Sequence, residues 1–185
     1  MVIDTVFNNF HSLLSSKEHI DYAIVDISAI KSLRIENYIY DNVKLIDVFQ
    51  ELNSDYLFLK VSQILLPTVF SIYQESFYEF QHLIPWVKTS FDELAIIDLN
   101  SKFRGLIDYL VVFQKPSAKS IKFKLSNLII EPDLITTMNS WERLLIRGLS
   151  EMGINDGVYV TSTGDMYQCD LEAPITNSGK KIDLF

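Results

Sequence analysis

Apolar residues first return at helical spacing near the start of the chain, where Ile3, Val6, Phe7, Phe10 and Leu14 share one face. That spacing predicts a helix from about Asp4 to Ser15. The stretch from His19 to Ile27, dense in Ile, Val and Tyr, reads as a buried strand. From Leu33 to Tyr40 the period changes to two, with Leu33, Ile35 and Ile39 alternating against Arg34, Glu36 and Tyr38. This is the pattern of a half-buried strand. Asp41 and Asn42 supply a turn, and Val43 to Leu52 reads as a short helix with Ile46 and Phe49 inward. Tyr56 to Val61 fits a strand or a helix start. Pro67 suits a first helical turn, and Val69, Phe70, Tyr73, Phe77 and Phe80 then mark one face of a helix running to about Ile84, closed by Pro85.

Ser90 and Glu93 have capping-box spacing, so a further helix is expected to begin there. Leu106 to Phe113 is nearly all apolar and reads as a central strand, followed by a loop over Lys115 to Lys119. Ile121, Phe123 and Leu125 alternate with Lys122, Lys124 and Ser126, which predicts a strand with one wet face and a bulge near Asn127 where the phase breaks. A helix capped by Asn139 and Glu142 should bury Trp141, Leu144, Leu145, Leu149 and Met152 and stop at Gly153, with Arg143, Arg147 and Glu151 on the wet side. Two strands follow, Val158 to Thr163 and Met166 to Leu171, around Gly164 and Asp165. A two-residue loop with glycine first predicts a type II′ turn. That register pairs Val160 with Cys169 and puts Tyr159 on the opposite, outward face with Asp170.

These elements describe an α+β fold: an antiparallel or mixed sheet packed against several helices, with a C-terminal helix followed by a β-hairpin. Their order lacks the strict alternation of a doubly wound sheet. A chain of 185 residues is read as a single globular domain over residues 1–185. Its apolar content of 48% supplies a core without staples.

Charge changes the picture more than size does. The net charge is −8, yet Lys102, Arg104, Lys115, Lys119, Lys122 and Lys124 face only Asp108 within one short window. Lysines on an outward strand face are also an ordinary guard against edge-to-edge pairing, and that plainer explanation is preferred here. An overall acidic protein is a poor general binder of phosphate backbones, so nucleic acid is not expected as a partner. One cysteine, Cys169, leaves no disulfide framework, and the hairpin register buries it. No uninterrupted apolar run approaches bilayer length, so no membrane partner is expected and a cytoplasmic setting is read.

Candidate chemistry is sparse. Asp170 and Glu172 would share a strand face about 7 Å apart. With Asp165 or Asp156 they could hold a hard cation, as a metal-dependent hydrolase requires, but a solvated outer face of the hairpin is the preferred explanation. Asp92 and Glu93 suit the first turn of a helix, where the dipole favours negative charge. His11, His19 and His82 show no metal-ligand spacing. No glycine-rich phosphate loop and no nucleophile elbow are present. No catalytic residue, metal site or cofactor is therefore assigned, and no family's diagnostic residues are matched.

Aromatics on otherwise polar positions remain. Tyr38, Tyr40, Tyr159 and Trp86, together with Asp165, Asp170 and Glu172, are the residues expected to contact a partner. The functional expectation is a non-enzymatic cytosolic binding protein, an acidic inhibitor or immunity-like protein that neutralises a basic toxin or nuclease. A structural or assembly subunit of a phage or secretion machine, and a metal-dependent hydrolase using the hairpin carboxylates, are the alternatives.

Overall fold

In the computed structural model, residues 9–30, 32–33, 37–87, 107–121, 140–169 and 174–176 are described. The first helix, α1 (Phe10–Ser16), starts where the side chain of Asn9 accepts the Ser12 backbone N–H and the Ser12 hydroxyl accepts the Asn9 N–H. Such a reciprocal cap contributes about 1 kcal/mol. The chain then enters β1 (Ile20–Asp26), whose seven residues are all buried except Asp21. A two-stranded ribbon follows, β2 (Tyr38–Tyr40) and β3 (Val43–Lys44), turning at Asp41 and Asn42. Helix α2 (Leu45–Glu51) begins with the Lys44 N–H donating to the Asp47 carboxylate and buries Leu45, Val48 and Phe49. Ile46 is only half buried.

The strand β4 (Ser54–Ser62) leads through a short 3-10 turn into α3 (Leu66–Tyr73), which has Pro67 in its first turn. The long helix expected to reach Ile84 ends eleven residues sooner, and Glu79–Val87 is a strand, β5. Tertiary contacts decide this. The Tyr78 hydroxyl donates to the Leu52 carbonyl and meets Ser54 Oγ at 2.9 Å, pinning the chain just after the turn. Residues 79–87 then pair antiparallel with β6 (Ile107–Gln114). Phe77, expected on a buried helix face, is 74% exposed. Pro85 does not close a helix; it lies in an edge strand, where a missing N–H costs no ladder bond.

After β6 come α4 (Ser140–Glu151), β7 (Gly157–Val160), β8 (Met166–Cys169) and β9 (Pro174–Thr176). Gly153, with φ +80°, ends the helix as the sequence indicates. The expected wet-side pair Arg147–Glu151 is formed at 3.1 Å, but Met152 is 43% exposed rather than inward. The expected helix from Ser90 lies outside the described residues, as does the expected strand over 121–126 apart from Ile121, which is buried.

The result is a mixed α+β architecture. Among the described residues seven strands form one sheet in the order β5-β6-β4-β1-β7-β8-β9, with β4, β1 and β7 parallel at its centre. Antiparallel β5 and β6 flank one side, and β8 and β9 the other. Alternation along the central strands divides two cores. Ala23, Val25, Leu57, Leu59, Val111 and Phe113 join residues of α1, α2 and α3 on one face. Tyr22, Ile24, Phe58, Val112 and Tyr159 join Leu145, Ile146 and Leu149 of α4 on the other. A parallel centre buried on both faces explains why its strands read as near-continuous apolar runs.

The C-terminal strands pair antiparallel, but in another register than the sequence suggests. Val160 lies opposite Met166, and Cys169 lies opposite Gly157. The turn is wider than two residues: the Thr161 N–H donates to the Asp165 carbonyl, and Thr161 Oγ1 accepts the N–H groups of Thr163 and Asp165. The register differs by three, an odd number, so the faces exchange. Cys169 is buried, as expected, but it shares its face with Tyr159 and Tyr167.

Candidate functional site

The strand order has one topological switch. From β1 the chain crosses to β4 on one side, while β7 lies on the other side of β1. In sheets of this kind the crevice beyond the carboxyl ends of strands at such a point is where ligands bind. Here it lies between Asp26 at the end of β1 and the turn 161–165 after β7.

A cleft of about 430 Å³ opens at this end of the sheet. Three segments line it: Asn9, Phe10 and His11 where α1 begins, residues 39–43 of the ribbon, and Ser162, Thr163 and Gly164 of the turn. Local chemistry places each. The cap at Asn9 fixes the start of α1. The Tyr40 hydroxyl donates to the Asp26 carbonyl at 3.0 Å, tying the ribbon to the end of β1. Burial pushes the Tyr40 phenol well above its usual range, and the Asp26 carboxylate adds to this. Gly164, at φ +88°, lets the turn approach the Tyr40 ring; a Cβ there would sit 3.0 Å from Tyr40 Cδ1.

Behind this wall Asp26 is held firmly. One carboxylate oxygen accepts the Ser28 N–H at 2.9 Å and the Ser28 hydroxyl at 2.6 Å, and the other meets Lys60 Nζ at 3.4 Å. Both side chains of the ion pair are largely buried, so removing either would strand a charge.

The residues selected from sequence are not brought together. Tyr38 is 44% exposed with Lys44 Nζ 5.1 Å from its ring centre, and Tyr40 lines the cleft half buried. Tyr159 is not an outward anchor: it is 7% exposed and stacked on Tyr167, because α4 covers that face. Trp86 lies in β5 opposite Asp108, not at a helix end. Asp165 is exposed and accepts the Thr163 hydroxyl at 2.7 Å. Asp170 and Glu172 lie outside the described residues, as do Lys102, Arg104, Lys122 and Lys124 of the basic window. Within that window Lys115 bonds to Asn53, and the Lys119 carbonyl accepts the Tyr56 hydroxyl.

The histidines separate too. His11 lines the cleft, His19 meets Asp55 at 3.1 Å, and His82 is exposed on β5. Among the described residues no group of three or more His, Cys, Asp or Glu could hold a metal ion. Among them also, no helix is long and apolar enough to cross a membrane. Sequence reasoning missed the cleft because its walls come from three distant segments of ordinary polar residues. The one local signal was the turn chemistry at Asp41-Asn42 and Gly164-Asp165.

No family model matches the sequence, and no curated protein matches it. Solved structures do. M1.HpyAVI is 16% identical, with a TM-score of 0.48 over 83% of this chain and 76% of that one. An M1.HpyAVI–SAM complex is 14% identical with a TM-score of 0.42; it matches 62% of this chain, which spans about half (53%) of that one. TTHA0409 of Thermus thermophilus, described as a DNA modification methylase and complexed with S-adenosyl-L-methionine, is 11% identical with a TM-score of 0.42 over 70% of this chain and 67% of that one. Likeness at this level transfers no residue role. It does correct the functional expectation. One neighbour is described as a DNA modification methylase and two are complexes with S-adenosylmethionine; none is described as an inhibitor or immunity protein. The acidic inhibitor, its basic protein partner and the exclusion of nucleic acid are accordingly withdrawn, and the assembly-subunit and metal-hydrolase alternatives are not carried forward.

Proposed function

We propose that this chain, acting as one domain, binds a small polar molecule in the cleft at the carboxyl ends of β1 and β7. One observation carries the reading: the cleft coincides with the switch point of a sheet whose three central strands are parallel. Its size supports it, since about 430 Å³ lies in the range of small-molecule sites. Its lining supports a polar ligand, because Asn9, His11, Asp41, Asn42, Ser162 and Thr163 all present hydrogen-bonding groups. Phe10, Ile39 and Val43 form the apolar part of the wall. Of the residues selected from sequence, Tyr40 and Asp165 serve this site, Tyr40 as wall and Asp165 as support for Thr163. A cytoplasmic setting is consistent with a single, buried cysteine.

The test is amide NMR with a panel of small polar probes, S-adenosylmethionine among them because two of the solved structures hold it. At least one probe should produce saturable shifts at Ser162, Thr163 and Gly164. At a hundredfold excess over its Kd, that probe should stabilise the fold by about 2.7 kcal/mol. Ser162→Trp, which places an indole in the cleft from an exposed turn, should abolish both effects. Shifts confined to other regions, or none at millimolar probe, would overturn the site.

A further inference from the structure

We propose that the cleft selects its ligand by charge, taking cationic or neutral molecules that donate hydrogen bonds and rejecting anions, with Asp41 setting the preference. This rests on the binding reading above and goes beyond it to the class of ligand.

Three observations support the selection. First, among the described lining residues Asp41 is the only carboxylate, and there is no lysine or arginine. Asp41 sits exposed at the tip of the ribbon.

Second, the hydroxyl chain in the turn has a fixed direction. Thr163 Oγ1 donates its proton to Asp165 Oδ2 at 2.7 Å. With that proton committed, its contact with Thr161 Oγ1 at 2.9 Å makes Thr161 the donor. A hydroxyl has one proton and two lone pairs, so Thr163 can only accept from a ligand. The turn therefore offers an acceptor at Thr163, and Asp165 places a second negative charge beside it.

Third, the nearby lysines and one N–H at the start of α1 are engaged elsewhere. At the start of α1, the Ser12 N–H is taken by Asn9 Oδ1 at 2.8 Å. Lys44 lies over the Tyr38 ring at 5.1 Å, and Lys60 is paired with Asp26 at 3.4 Å. Among the described lining residues a phosphate or carboxylate would meet Asp41, with Asp165 behind the wall, and no lysine or arginine, only the His11 imidazole, whereas an ammonium or a hydroxyl would find acceptors.

The magnitude follows from Coulomb's law. The Asp41 carboxylate attracts a nearby cation and repels an anion by the same amount, so the two effects add in the ratio of their affinities. The expected discrimination is about tenfold or more at low salt, shrinking as ionic strength rises.

The experiment uses the full chain and three series of similar skeleton and differing charge: benzylamine, benzyl alcohol and benzoate; glucosamine, glucose and glucose 6-phosphate; 5′-amino-5′-deoxyadenosine, adenosine and adenosine 5′-monophosphate. Affinities are read from the Ser162–Gly164 amide shifts at low and high salt. Within each series that binds, the cation should bind at least about tenfold tighter than the anion. Asp41→Asn should cut that ratio severalfold and Asp41→Lys should invert it, both with an unchanged melting temperature because Asp41 is an exposed turn residue. An anion binding as tightly as its cationic counterpart would overturn the charge selection and leave the cleft standing as a site. An unchanged ratio in Asp41→Asn would overturn the assignment to Asp41. No binding by any member at millimolar concentration would remove the cleft, and this inference with it.

Discussion

The two ends of β7 are built from the same pair of residues and do opposite things. At the amino end Gly157 lies under the ring of Tyr22; beyond the carboxyl end Gly164 lies under the ring of Tyr40. A Cβ on Gly157 would fall 2.2–2.4 Å from Tyr22 ring atoms, which leaves no room at all. Tyr22 is 1% exposed, edge-on to Phe58 at 6.4 Å, and burial pushes its phenol far above the usual range. The Asp21 carboxylate closes the same end by accepting the N–H groups of Asn155 and Asp156, both at 3.1 Å. At the other end the approach is looser, 3.0–3.2 Å to Tyr40 carbons, and the ring is half exposed to the cleft. A tyrosine over a glycine therefore seals one end of the strand and walls an opening at the other. Fit, not residue type, makes the difference.

Substitution can break this contrast. The largest effect is expected for Gly157→Ala, which forces a methyl group into an immobile ring; the fold should lose about 3 kcal/mol in urea denaturation, with Tyr22→Leu in the same chain restoring part of it. A Gly157→Ala protein as stable as the parent would mean that the seal is not tight. Gly164→Ala should cost less, about 1 to 2 kcal/mol, mainly because φ +88° disfavours a side chain; the Tyr40 ring can yield toward the cleft.

The smallest effect concerns protons. Burial, and then the Asp21 carboxylate, raise the Asp156 carboxyl above its ordinary 3.8, while His19 opposes them. A carboxyl raised on folding binds its proton more readily in the folded state. Its contribution is therefore fully present below pH 3.8 and is lost as pH rises through the folded-state value. Asp156→Asn should raise stability at neutral pH by about a few tenths of a kcal/mol, since the group is exposed and screened. It should also flatten the denaturation midpoint in the window just above pH 3.8. A neutral-pH loss of stability on this substitution would reverse the reading.

The central strands and α4 were legible because burial leaves a periodic trace. β1 and β6 fall within two residues of their expected bounds, and Gly153 ends α4 where glycine should. Residues 74–87 were not legible, because Phe77 and Phe80 fit a helical face as well as an edge strand, and the deciding bond joins Tyr78 to Leu52, far back in the chain. The turn 161–165 misled for a different reason. Gly164-Asp165 is a good two-residue turn on its own, but the Thr161 hydroxyl recruits both following N–H groups and widens it. The candidate site was hardly legible, since no local pattern connects Asn9, Asp41 and Ser162. Only the sheet order puts them at one crevice.

That same order constrains how the protein can be made. β1 meets β4, about one-third of the way along the chain, but its other edge waits for β7, whose Gly157 pairs with Tyr22. Until a ribosome has delivered that late segment, the hydrogen-bonding groups of one entire edge of the middle strand have no mate, flanked by Ala23, Ile24 and Val25. Nascent chains in this interval are the species most prone to pair wrongly with one another, so yield in cells should respond to chaperone supply and translation speed more than to equilibrium stability.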